Sequence, residues 1–134
     1  MTNPIELSCS PAEVTDRFAT GVEVPPELLA EIASFCALDD GPEARIDYSR
    51  DWWPLALWWA TRGQVPARPA GVARPGDAET VADVLRLCSA AGVPVTPAGG
   101  RSGVCGGSVP VFGGIVLDTC ALSGASKVDA DSLL

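Results

Sequence analysis

Between the apolar runs VPV (93–95) and IVL (115–117) the chain places PAGGRSGVCGGSVP, residues 97–110, in which five of fourteen residues are glycine. Glycine in an ordered segment costs about 1 kcal/mol relative to alanine, because it has the most backbone freedom to lose. Such a run between two strand-like segments narrows what the chain can fold into. The backbone there turns sharply, approaches something closely, or does both. Consecutive amides without side chains in the way can converge on negative oxygens and form an anion nest. A glycine-rich turn also serves as nothing more than a turn, and composition leaves both readings open. Arg101 either adds charge to such a nest or points to solvent. Two phosphate motifs are excluded. There is no G-K-[ST], so this is not a Walker loop. No set of these glycines has the G-x-G-x-x-G spacing of the dinucleotide fingerprint.

The segments around the run have readable periods. GDAETVADVLRLCSAAG (76–92) predicts a helix. Asp77 suits its N-cap, Glu79 suits its positive start, and Gly92 suits its end. Val81, Val84, Leu85 and Cys88 line one face. PAGVARP (69–75) reads as extended, VPVTP (93–97) as a strand, and GGIVLDT (113–119) as another. Strand, helix, strand, loop, strand predicts a mixed α/β unit with a right-handed crossover. Ile115, Val116 and Leu117 form a continuous apolar run, as in a strand covered on both faces. Strands at Val93–Thr96 and Ile115–Asp118 are expected in a sheet whose other members lie largely beyond this chain. That would leave the Ile115–Asp118 strand with an open edge. Asp118 reads as a strand-end acid that caps the following turn.

Upstream, PPELLAEIASFC (25–36) predicts a helix with Pro26 in its first turn. Leu28, Leu29, Ile32, Phe35 and Cys36 form its apolar face, and DDGPE (39–43) ends it. Trp52, Trp53, Trp58 and Trp59 flank Pro54, and a short helix from Pro54 to about Thr61 is expected. Tryptophans so spaced can stack on a ring system, but packing within a larger body is the preferred reading. Residues 1–24 show little period.

Composition excludes several function classes. Nine basic against seventeen acidic residues give a net charge of −8, which argues against a nucleic-acid partner. It leaves room for a small anion held by backbone amides. The chain has no histidine, which removes the usual general base and most metal sites. Its five cysteines (Cys9, Cys36, Cys88, Cys105, Cys120) form no C-x-x-C pair and read mostly as small buried hydrophobes. The start MTNPIELSCS lacks the pattern of a signal peptide. The most apolar stretch, WWPLALWWA, is too short to span a bilayer. A cytoplasmic protein is expected.

The stretch from ARPAGVARP through IVLDT, about 55 residues, resembles the start of the FAD-binding domain in flavoproteins of the vanillyl-alcohol oxidase and p-cresol methylhydroxylase (PCMH) type. The resemblance lies in four pieces in order: the extended segment, the helix ending in gvpv-P, the GGRSGV-GG loop, and LD. The branch most similar is that of alkylglycerone-phosphate synthase and the glycolate or lactate dehydrogenases. The implied fold class is α+β: N-terminal helices, then the first β-α-β subdomain of a PCMH-type FAD-binding domain, incomplete at the C-terminus. Residues 1–64 would be an N-terminal helical, Trp-rich segment and 65–134 the truncated FAD-binding part.

The resemblance implies FAD as cofactor, its pyrophosphate held by Pro97, Ala98, Gly99, Gly100, Arg101, Ser102 and Gly103, with Gly106 and Gly107 just outside. Ser102 would offer its hydroxyl to a phosphate oxygen. A histidyl flavin link within this chain is excluded. Cys105 is a candidate for a cysteinyl link, though a small buried thiol is the ordinary reading, and non-covalent FAD is expected. Asp118 would, on the functional reading, order the loops near the flavin.

The family pattern continues past LDTCALSGASKVDADSLL, so the chain reads as the N-terminal fragment of a longer protein, and no catalytic residue is assigned within it. Three readings follow. It is the front of an FAD-dependent oxidoreductase working by hydride transfer to flavin, a subunit completed by a partner chain, or an inactive fragment. A non-redox, synthase-like flavoenzyme is a further alternative. The chain alone is expected to show no turnover.

Overall fold

The computed structural model describes residues 7–19, 22–122 and 131. A 3-10 turn at Pro11–Glu13 leads into the short strand β1 (Thr15–Asp16). Helix α1 (Pro26–Ala33) starts on Pro26, whose missing N–H falls where no helical bond needs it. Leu28, Ile32 and Cys36 point inward, while Phe35 is exposed. The helix ends at Ala33, so Phe35 no longer follows its period. DDGPE is more than a stop. It joins two further elements, β2 (Ala37–Asp39) and α2 (Pro42–Asp47). The proline helix follows as α3 (Pro54–Ala60), then β3 (Gln64–Val65), which pairs in parallel with β1.

The second half has the expected order: β4 (Gly71–Arg74), α4 (Ala78–Ala90), β5 (Val95–Ala98), a long loop, and β6 (Ile115–Asp118). Asp77 caps α4, its carboxylate accepting from the Thr80 amide at 2.7 Å. Val84 and Cys88 are fully buried, and Leu85, on the flank of that face, is exposed. Gly92 follows the helix with φ +66°, in the left-handed region. Val93 lies before β5 because its amide donates back to the Cys88 carbonyl at 2.8 Å, closing the helix.

Among the described residues, the main sheet has four strands in the order β2-β4-β6-β5. β4, β6 and β5 run parallel, and β2 is antiparallel to β4. The expectation of an open edge on Ile115–Asp118 is therefore corrected. β6 is paired on both sides, and among the described residues the edges are β2 and β5. Because β6 enters between β4 and β5, the strand that follows the long loop becomes the interior of the sheet. Its alternate residues face opposite layers. Ile115 and Leu117, with Ala73, pack against α1 and α4 through Leu28, Ile32, Val84 and Cys88. Val116, with Val72 and Ala98, packs against Ala44 and Tyr48 on the other face. The tryptophans divide. Trp59 is buried, edge-on to Trp53 at 5.6 Å and to Phe18 at 5.7 Å. Trp58 is half exposed, with the Arg62 guanidinium 3.6 Å above its ring.

Candidate functional site

The glycine loop leaves β5 at its carboxyl end, beside the carboxyl ends of β4 and β6, and sixteen residues of sheet-free chain later enters β6 at its amino end. In open α/β sheets the carboxyl end is the side on which ligands bind. Pro97 and Ala98 are the last two residues of β5. Ala98 is buried, and its carbonyl accepts from the Thr119 amide at 2.9 Å. Gly99, Gly100, Ser102 and Gly103 are exposed. Among the described residues, no carbonyl or side chain accepts from the amides of these four. A short stretch of exposed residues thus carries several N–H donors with no acceptor among the described residues, which is the donor set an anion requires.

The loop is tied down by a segment from which no site residue was expected. Asp51 is fully buried, and its carboxylate accepts from the Trp53 amide at 2.9 Å and the Ser108 amide at 3.5 Å. The Gly103 carbonyl accepts from the Trp52 amide at 3.1 Å. Gly106 lies against the Trp53 ring, and Gly107 faces open space. Arg101 differs from both readings of it. Its side chain is buried rather than in solvent, and its guanidinium is engaged by this same segment. Nη1 donates to the Asp47 carbonyl at 2.6 Å, and Nη2 to the Asp47 carboxylate at 2.9 Å. The guanidinium also lies 4.1 Å from the centre of the Tyr48 ring. Arg101 has φ 52°, a left-handed conformation that costs a residue with a Cβ about 1–2 kcal/mol. Cys105 is exposed, not the small buried thiol expected, because it sits on the outer part of the loop.

Asp118 caps its turn as read, accepting from the Cys120 amide at 2.9 Å. It also accepts from the Tyr48 hydroxyl, and Arg74 lies 3.7 Å away. Burial alone would raise the Asp118 pKa. The hydrogen bonds from Tyr48 and Cys120 and the Arg74 charge outweigh it, so the carboxyl is held below its usual range. Burial, and then the bond to Asp118, raise the Tyr48 pKa. A depressed carboxyl pKa stabilises the fold above the unfolded value of about 3.9 and loses that contribution as pH falls through the folded value. Asp118→Asn is expected to lower stability at pH 7 and to flatten its fall below about pH 4. Melting curves from pH 3 to 7 check this. Parallel pH profiles for the two proteins would remove Asp118 from the acid response.

With this geometry in place, likeness to known proteins can be assigned. Residues 69–134 match the FAD binding domain family. They belong to it. The matched part begins two residues before β4 and takes in α4, β5, the glycine loop and β6. The chain is 28% identical over 107 residues to the glycolate oxidase subunit GlcD of Bacillus subtilis, covering 80% of this chain and 21% of that protein. It is 41% identical over 70 residues to the D-2-hydroxyglutarate dehydrogenase of Xanthomonas citri, covering 52% of this chain and 13% of that one. A solved alkyldihydroxyacetonephosphate synthase has the same fold over 97% of this chain and 24% of its own, with a TM-score of 0.74 at 22% identity. The chain thus spans about a fifth of the length of the glycolate oxidase subunit it matches.

The cofactor of the FAD binding domain is FAD, and the amides of its loop suit the anionic part of that molecule. Among the described residues, no cluster of acidic or cysteine side chains could hold a metal ion, and no helix is long and apolar enough to cross a membrane. A concavity of about 570 Å³ lies between Leu7, Pro11 and α2, and its lining includes Asp47, the partner of Arg101.

Proposed function

We propose that residues 97–107 cradle the FAD pyrophosphate through backbone amides. The observation that carries this is the exposed set of amides at Gly99, Gly100, Ser102 and Gly103 at the carboxyl end of β5. Pro97 has no N–H to give and Ala98 is buried, so these two set the direction in which the loop leaves the sheet. Arg101 contributes its backbone position, with its guanidinium held by Asp47. Ser102 offers its hydroxyl to a phosphate oxygen, and Gly106 and Gly107 form the outer rim. Residues 65–134 are the FAD-binding part, and 1–64 an N-terminal helical, Trp-rich segment that buttresses it. The start of the family match at residue 69 supports that division.

For the whole protein we propose an FAD-dependent oxidoreductase acting on a small 2-hydroxy acid. Support comes from the names of its relatives: a glycolate oxidase subunit, a D-2-hydroxyglutarate dehydrogenase and a D-lactate dehydrogenase. FAD when bound supplies a ring that accepts hydride. The residues described here hold its charged middle, and no catalytic role is assigned to them. The remaining length of the relatives would come from further polypeptide or from a partner chain. Free cysteines throughout the described residues support a reducing, cytoplasmic setting.

Titration of the intact protein with FAD and with riboflavin tests the loop assignment. Two charge-assisted hydrogen bonds to the pyrophosphate favour FAD by about a hundredfold or more. Equal affinities would exclude the cradle.

A further inference from the structure

We propose that Asp47 and Tyr48 are positioning residues for the cofactor loop: they clamp Arg101 and so hold the loop in its anion-binding shape. The inference rests on the pyrophosphate reading of the loop and extends it to residues about fifty positions upstream.

Arg101 stands between Gly100 and Ser102, whose amides belong to that donor set, so rotation about its φ redirects both N–H groups. Its φ of 52° is one that a residue with a Cβ rarely holds unaided. Among the described residues, three contacts hold it. Two are the hydrogen bonds to the Asp47 carbonyl and carboxylate, at 2.6 and 2.9 Å. The third is the Tyr48 ring, 4.1 Å from the guanidinium. Tyr48 is itself anchored, since its hydroxyl donates to Asp118 at the end of β6 and Arg74 at the end of β4 lies over its ring at 5.6 Å. The clamp therefore runs from two sheet strands through Tyr48 to the middle of the loop. Two guanidinium nitrogens committed to Asp47 also mean that Arg101 acts through its backbone rather than by reaching for phosphate.

A glycine at position 101 adopts this conformation with no clamp, which makes a decisive cycle available. FAD affinity and amide hydrogen exchange of residues 99–103 are measured on the intact protein and on Asp47→Ala, Tyr48→Phe, Arg101→Gly and Asp47→Ala/Arg101→Gly. Circular dichroism confirms that each is folded. Asp47→Ala is expected to weaken FAD about tenfold and to speed exchange of the loop amides, because the strained conformer loses its support. Tyr48→Phe keeps the ring face but cuts its anchor on Asp118, and is expected to weaken FAD about threefold, less than Asp47→Ala. Arg101→Gly weakens FAD by a smaller factor than Asp47→Ala, because glycine reaches the same φ but is not fixed there, and adding Asp47→Ala to it costs nothing further. Losses that add in the double variant would overturn the clamp, as would an unchanged Asp47→Ala. If the parent binds no FAD while exchange still follows the cycle, the clamp stands and the pyrophosphate reading falls.

Discussion

Gly114→Ala is expected to leave most of the protein unfolded or close to it, at a cost of at least about 4 kcal/mol. A domain of this kind has about 5–15 kcal/mol to lose. Gly114 stitches both neighbours of β6 at its entry. Its carbonyl accepts from the Ala70 amide at 2.7 Å, and the next amide, Ile115, donates to the Pro94 carbonyl at 2.9 Å. Its φ is +70°, and a Cβ would lie 2.0 Å from the Pro94 oxygen, which is backbone and has no room to move. Two other glycines separate the contributions. Gly92 has φ +66° with nothing within 4 Å of a Cβ, so Gly92→Ala carries the conformational cost alone, about 1 kcal/mol. Gly76 has open space, and Gly76→Ala is expected within about 0.5 kcal/mol of the parent. Urea melts of the three variants check the series. Equal costs at Gly92 and Gly114 would show that the Pro94 contact is relieved cheaply.

Asp51→Ala is expected to destabilise the protein by about 3 kcal/mol and to weaken FAD binding at least about tenfold. The carboxylate is fully buried, and two amides depend on it: Trp53 at the start of α3 and Ser108 at the far side of the glycine loop. Removing it leaves both donors without a partner, and a hydrogen bond to a charged group contributes about 1.5–3 kcal/mol. Asp51→Asn keeps an acceptor oxygen and is expected to lose about half as much. Chemical denaturation with parallel FAD titration separates the two effects. Unchanged FAD affinity in a destabilised Asp51→Ala protein would confine Asp51 to the fold.

The elements that carried the sequence argument are those whose signal is local. Asp77 and Gly92 bracket α4 because capping and left-handed termination are written in single residues. Ile115–Leu117 was legible as a two-sided strand because the run is unbroken, and the structure buries all three. Its place in the sheet was not, since neighbours are chosen by packing across distant segments. β2 and α2 were hidden in DDGPE for a related reason. β2 is only three residues long and exists by pairing with β4. The glycine loop announced itself by composition, whereas its supports did not. Asp47, Tyr48 and Asp51 lie in DYSRD, a polar stretch with no period. The adjacent tryptophans drew the reading toward packing, although Trp53 packs against the loop at Gly106. A cluster of aspartates around one tyrosine, too irregular to be a solvated helix face, was the available signal.

The strand order has a consequence for how the chain is made. Among the described strands, space order is β2-β4-β6-β5, while β6 is the last made. As the nascent polypeptide emerges, β4 finds β2 at once, but β5 has no partner until Asp118 has emerged. Once β5 has emerged and until β6 follows, one edge of β4 and both edges of β5 stay unpaired, a state open to association with other chains. A chain cut between Ala98 and Ile115 is therefore not a smaller domain but two strands still waiting for the one that joins them.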